Sequence, residues 1–268
     1  MHLKRWLSAL VILPVLIFVI LYDRASFSIF VLLAALITLR EYFRIAYSNT
    51  DRPLFSLLPI IGFIVCLLII GAAHFELFHH VPFILALNIL AVGVAGIFKF
   101  KDDPDFLDAS AKQIQGTIYV PLLLSHAILL RGDPDGAAWI FFLLTLVFLG
   151  DIGAFYAGSY FGRTKLCPSV SPGKTVEGAL GGISATIIIG TGFRYVFLPH
   201  LPFGYCLLLF TAVGIIGPVG DLYESMLKRK GDIKDSGTIM PGHGGLLDRI
   251  DAVLFAAPVV YYFKIYVM

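Results

Sequence analysis

Apolar residues in this chain come in long unbroken runs, with neither the alternation of a half-buried strand nor the single stripe of a surface helix. Nine such runs stand out, at about 6–22, 26–44, 54–73, 81–98, 114–130, 137–157, 176–198, 203–221 and 250–267. Each is roughly 17–23 residues long, enough to cross a bilayer as a helix. Hydrocarbon offers no partner to a backbone N–H or C=O, so runs of this length must pair their polar groups internally as helices. The pattern therefore predicts an all-α, polytopic integral membrane protein with about nine transmembrane helices. The second run is the weakest, because Arg40 and Glu41 cut it short. The first opens like a signal peptide, with Lys4 and Arg5 before an apolar core. Tyr22-Asp23-Arg24 follows in place of a small-residue cleavage site, so it is read as a first helix.

Composition agrees: 58% of residues are hydrophobic, only 14% are charged, and the mean hydropathy is +0.88. The basic residues set the orientation. With nine spans, sixteen of the twenty Lys and Arg residues fall at the N-terminus and in the even-numbered connections, against Arg24, Arg131 and Arg194 in the odd ones. The positive-inside rule then puts the N-terminus and the even loops in the cytoplasm of a cell (inner or plasma) membrane. This asymmetry accounts for the basic residues, so the net charge of +2 calls for no nucleic-acid partner. Three cysteines, two of them in predicted spans, argue against a disulfide framework.

Polar residues are concentrated late in the chain. Residues 1–135 read as helices forming a scaffold with possible lipid access, and 136–268 as helices carrying a cytoplasm-facing site. Asp151 lies in the sixth run, in GDIGAFYAG, and Asp221 ends the eighth; carboxylates at such depth usually face a polar cavity or a partner. The alternative for Asp151 is a structural ion pair with Arg163 or Lys165. Between Ser225 and Asp251 lies an island dense in charge and glycine, SMLKRKGDIKDSGTIMPGHGGLLDRID. Asp221, Glu224, Ser225 and Lys228 stand at i, i+3, i+4 and i+7, one face of a helix that continues past the membrane edge. Asp248 and Asp251 stand at i and i+3 where the ninth run begins. Two helix ends bearing carboxylates offer hard oxygen ligands for a cation such as Mg²⁺, which is held by a few carboxylates together with substrate phosphate. The other reading is an interfacial salt-bridge net. Ser171-Pro172-Gly173-Lys174-Thr175 is too short of glycine for a P-loop and reads as a basic, hydroxyl-bearing turn capping the seventh run. Gly242-His243-Gly244-Gly245 is a candidate N–H nest for anionic oxygen.

The island resembles the signature of the CDP-diacylglycerol synthases, or phosphatidate cytidylyltransferases. Its elements occur here in order: Ser225, Lys228-Arg229, Lys234-Asp235, Gly237, Pro241, His243-Gly244-Gly245, Asp248-Arg249 and Asp251. GDIGAFYAG and SPGKTVEG are similar to further motifs of that family. Met240 and Val176 depart from its usual residues, apolar for apolar. The resemblance implies transfer of the cytidylyl group of CTP to phosphatidate, with Mg²⁺ as cofactor and a second cation left open. It implies Asp221 and Asp248 as the first-choice metal ligands, with Glu224 and Asp251 behind them, and Asp151 lining the same cavity. Lys174, Lys228, Arg229, Lys234 and Arg249 would grip phosphates. Ser171, Thr175, Ser225, Asp235, His243, Gly244 and Gly245 would complete the substrate site. A homodimer is also implied, and Gly178-x3-Gly182 permits close helix packing. Two rivals remain at this level. A CDP-alcohol phosphotransferase would show a DG-x2-AR pattern that is absent here, and a cation-coupled transporter would not need the basic and glycine-rich island.

Overall fold

The computed structural model describes residues 2–50, 52–239 and 244–267, and their side chains except those of 2–11. Helices dominate: α1 His2–Tyr22, α2 Arg24–Ala46, α3 Leu57–His74, α4 Val81–Lys99, α5 Phe106–Thr117, α6 Leu123–Gly132, α7 Gly136–Phe161, α8 Val176–Phe197, α9 Phe203–Lys230 and α10 Leu247–Val267. A π-helical turn, Ile118–Leu122, joins α5 to α6 around Pro121. Among the described residues, seven helical segments are long and apolar enough to cross a membrane: Leu57–His74, Phe78–Lys99, Phe106–Gly132, Gly136–Phe161, Val176–Phe197, Phe203–Lys230 and Leu247–Val267. The protein is thus an all-α polytopic membrane protein. The first two predicted runs fall on α1 and α2, which stand outside those seven; among the described residues Ile12–Tyr22 of α1 forms a shorter apolar helix. Large apolar side chains such as Ile97, Phe98 and Ile188 stand exposed, as they do where hydrocarbon is the solvent.

The chain forms two compact units, Met1–Gly132 with Lys230–Asp248, and Asp133–Arg229 with Arg249–Met268. The glycine-rich island thus belongs largely with the N-terminal helices. In that first unit α2 is started by Asp23, whose carboxylate accepts from Ser26 N at 2.5 Å. Tyr42 and Phe43 of α2 fill space left by glycines. A Cβ on Gly116 would lie 2.5 Å from Tyr42, and one on Gly62 would lie 2.6 Å from Phe43. Tyr42 also donates to Lys112 O at 3.0 Å and Tyr47 to Ala109 O at 2.9 Å, tying α2 to α5. Asn88 of α4 accepts from Gln113 at 3.0 Å, so polar pairing joins α4 to α5 as well. The π turn leaves Leu122 O to accept from Ser125 Oγ at 2.6 Å, with His126 Nδ1 at 2.9 Å, so both side chains have packing roles.

The second unit is built on a seam of small residues. A Cβ on Gly153 would overlap that of Ala185, and one on Gly181 would overlap that of Ala157. One on Gly182 would sit 3.0 Å from Ala154, and Gly178 lies against Ala154 O and the Cα of Gly158. The backbones of α7 and α8 therefore run in direct contact, the arrangement small residues permit in membranes. Gly178-x3-Gly182, which the sequence offers to a second copy, is taken up inside the chain. The connection between the two helices is a short antiparallel hairpin, β1 Lys165–Cys167 and β2 Ser171–Thr175, where the sequence suggests only a turn. Its two strands are the one exception to the all-helical pattern among the described residues.

Candidate active site

Helix α9 continues without interruption to Lys230, so the predicted stripe of Asp221, Glu224, Ser225 and Lys228 forms in the second unit. Close approach to α10 completes it: a Cβ on Gly220 would be 2.5 Å from Asp251 O and 3.2 Å from Ala252 Cα. This crossing brings one carboxylate oxygen each of Asp221, Glu224 and Asp251 within 4.8 Å of one another. Glu224 and Asp251 are buried and Asp221 is half-buried. Lys174 stands 2.6 Å from Asp221 Oδ2, and Lys228 stands 2.5 Å from Glu224 Oε2. Ser225 donates to Asp221 Oδ1 at 3.3 Å.

The hairpin and the start of α8 deliver Lys174. Thr175 is the N-cap of α8, its Oγ1 accepting from Gly178 N at 3.1 Å. Glu177 accepts from Arg163 N at 3.0 Å and Thr164 N at 3.1 Å, closing the base of the hairpin. Lys174 is thereby carried to α9, where its ammonium also donates to Pro218 O at 3.3 Å. Asp151 of α7 interacts electrostatically with Asp221 and Lys174; among the described residues it forms no ion pair with Arg163 or Lys165. Four carboxylates thus share two lysines, leaving an excess of two negative charges if all are ionised. Hard oxygens with a charge deficit, partly removed from water, are what a divalent cation of the Mg²⁺ class requires.

Other predicted residues are engaged elsewhere. Arg229 Nε donates to Val170 O at 3.2 Å, and Ser171 lies half-buried in β2. Asp248 belongs to the first unit, where its Oδ2 accepts from Gly245 N at 2.8 Å, Ser236 Oγ at 2.9 Å and Ser236 N at 3.1 Å. The Gly245 amide does point at an anionic oxygen, but one supplied by this chain. Gly244 holds φ +82°, a left-handed conformation natural to glycine, and its missing Cβ leaves room for Asp248 Oδ2. Lys234, Asp235 and Arg249 are exposed, and His243 lies outside the described residues. Sequence reasoning missed Glu41. Buried in α2 at 2% exposure, it accepts from Leu247 N at 2.8 Å and Leu246 N at 3.0 Å, and Ser236 Oγ lies 3.3 Å away. The one sequence signal was a carboxylate interrupting an apolar run.

The profile of the cytidylyltransferase family matches residues 3–267, essentially the whole chain. The chain belongs to the cytidylyltransferase family. Phosphatidate cytidylyltransferase of Bacillus subtilis strain 168 is 39% identical over 180 residues, 67% of this chain and 64% of that one. The chain thus spans just under two thirds of the Bacillus protein. Phosphatidate cytidylyltransferase of Staphylococcus epidermidis strain RP62A is 30% identical over 257 residues, 96% of each chain. An uncharacterised Escherichia coli K12 protein, YnbB, is 37% identical over 239 residues, 87% of this cytidylyltransferase and 77% of its own length.

Proposed function

We propose that this cytidylyltransferase transfers the cytidylyl group of CTP to phosphatidate, giving CDP-diacylglycerol and pyrophosphate for phospholipid biosynthesis. The observation that carries this reading is the cluster of Asp221, Glu224 and Asp251 with Lys174 and Lys228, set at the ends of apolar helices in a chain of that family. A phosphate oxygen of the lipid attacks the α-phosphorus of CTP. The bond from that phosphorus to the bridging oxygen of the β-phosphate breaks, and pyrophosphate leaves. Both reactants are anions, and the cluster itself is short of positive charge.

Asp221, Glu224 and Asp251 would hold a Mg²⁺ ion, and Asp248, one helical turn before Asp251, remains a further candidate ligand. A bound divalent ion supplies neutralisation of phosphate charge and orientation of the two anions. Lys174 and Lys228, already held against carboxylates, are placed to exchange them for substrate phosphate, and Arg229, Lys234 and Arg249 are assigned to phosphates as well. Asp151 lines the same polar surface. Positioning and electrostatics then carry the reaction, with no covalent intermediate on the protein. The distribution of basic residues supports nine spans with a cytoplasmic N-terminus and a site open to the cytosol, where CTP is. The homodimer that the family resemblance implies would use a face other than Gly178 and Gly182.

The test is pyrophosphate release by purified protein in detergent with CTP, phosphatidate and Mg²⁺. The expected result is release that needs all three. Release with an alcohol in place of phosphatidate, or none with any lipid, would refute the reading.

A further inference from the structure

We propose that Glu41 is a positioning residue for this reaction: from the N-terminal part of the chain it fixes the glycine-rich loop and the start of the helix that carries Asp248, Arg249 and Asp251. The proposal rests on the cytidylyl transfer argued above. Glu41 is 2% exposed, and a carboxylate so far from water is costly unless strong donors meet it. Its donors are the amides of Leu246 and Leu247, and the Ser236 hydroxyl oxygen stands 3.3 Å from it. Leu247 is the first residue of α10. Glu41 therefore satisfies otherwise orphaned N–H groups at that helix's positive end, a capping role usually filled by a neighbour in sequence.

The end of α2 and the turn that follows it serve the same task. Glu41 and Ile45 stand at i and i+4 on α2, and Ser48 lies in the turn beyond its C-cap, Tyr47. Ser48 Oγ donates to Gly231 O at 2.9 Å, and a Cβ on Gly231 would lie 2.8 Å from Ile45 O. The last turns of α2 and the turn after them thus hold the chain at Gly231 and at Leu246–Leu247. The loop is shaped to receive it. A Cβ on Gly237 would run into the Glu41 carboxylate, and one on Gly245 would stand 2.6 Å from Glu41 Oε2. Two glycines of the signature thus leave room for a carboxylate of the protein itself. Ser236 then passes the constraint on, its hydroxyl lying 3.3 Å from Glu41 and 2.9 Å from Asp248. The Glu41 carboxylate thus fixes where α10 begins.

Glu41→Gln tests this, since it puts an NH₂ group where an acceptor oxygen stood. Amide hydrogen exchange at Leu246 and Leu247 should speed up by at least about tenfold. Turnover per folded molecule should fall by at least about tenfold, with KM for CTP changed less than about twofold. Glu41→Asp, which keeps the charge on a shorter stem, should recover part of both losses. If Glu41→Gln does not fold, Gly237→Ala pushes on the same carboxylate from the loop side and should give the same pair of changes. Unchanged exchange overturns the proposal, and so does faster exchange with normal turnover per folded molecule. A parent protein that releases no pyrophosphate from CTP overturns the reaction instead, and exchange at the two amides then judges the anchoring alone.

Discussion

Asp251→Asn should make the metal-free protein more resistant to heat, the opposite of what replacing a buried residue usually does. The oxygens of Asp221, Glu224 and Asp251 lie within 4.8 Å of one another. At that separation two negative charges repel by roughly 3.5 kcal/mol at an effective dielectric of about 20. Asp251 has two such neighbours. Lys174 and Lys228 offset part of this, though their ion pairs are with Asp221 and Glu224. Removing the charge while keeping the shape should therefore release about 1–3 kcal/mol once the lost attraction to the lysines is subtracted. In a chain of this size each kcal/mol moves the unfolding midpoint by roughly 2–4 °C. The assay is thermal unfolding in detergent at pH 8, with EDTA and then with rising Mg²⁺. In EDTA the variant should melt several degrees above the parent. As Mg²⁺ rises the parent should gain stability logarithmically with concentration, and the variant should stay flat. A variant that melts lower in EDTA and keeps the parent's full response to Mg²⁺ would refute the shared-cation reading.

Asp151→Asn should lower turnover at least about tenfold, roughly 1.4 kcal/mol of transition-state stabilisation, with normal expression; loss of detergent stability at constant specific activity would mean a structural residue only. Asp248→Asn should abolish activity whether it binds metal or holds the loop. Only the loop role predicts faster amide exchange at Gly245 as well, so unchanged exchange would count against that role. Gly181→Leu drives a side chain into Ala157 and should destabilise by about 1–3 kcal/mol, read as a lower unfolding midpoint; a neutral result would mean α7 and α8 separate easily. A reporter at Lys230 should read cytoplasmic and one at His79 external, and the same side for both would break the span count.

What the sequence could reveal followed from local spacing. The stripe of Asp221, Glu224, Ser225 and Lys228 was legible because α9 continues as a regular helix beyond its apolar run, and Asp251 because it lies one turn into the next helix. Glu41 escaped because its partners lie 195 to 206 residues away, and periodicity holds no record of such distances. It looked like a flaw in a span, whereas it caps another helix. The hairpin at Lys165–Thr175 escaped because Ser171-Pro172-Gly173-Lys174-Thr175 reads locally as a turn, while the pairing of Lys165 with Thr175 is a contact across the connection. Gly178 and Gly182 announced that a backbone approaches but not whose, and the visitor is α7 of the same chain.

The contact of α7 with α8 also bears on how a lipid arrives. Where Gly153 meets Ala185 and Gly181 meets Ala157, no gap remains for an acyl chain to slip between the two helices. That side of the second unit acts as a closed wall. The lipid substrate proposed above would then meet an unbroken outer surface there, with residues such as Ile152, Leu180 and Ile188 exposed on the two helices. Its head group would have to come in at the membrane edge with its tails left in the bilayer, so that supply would be by diffusion in two dimensions.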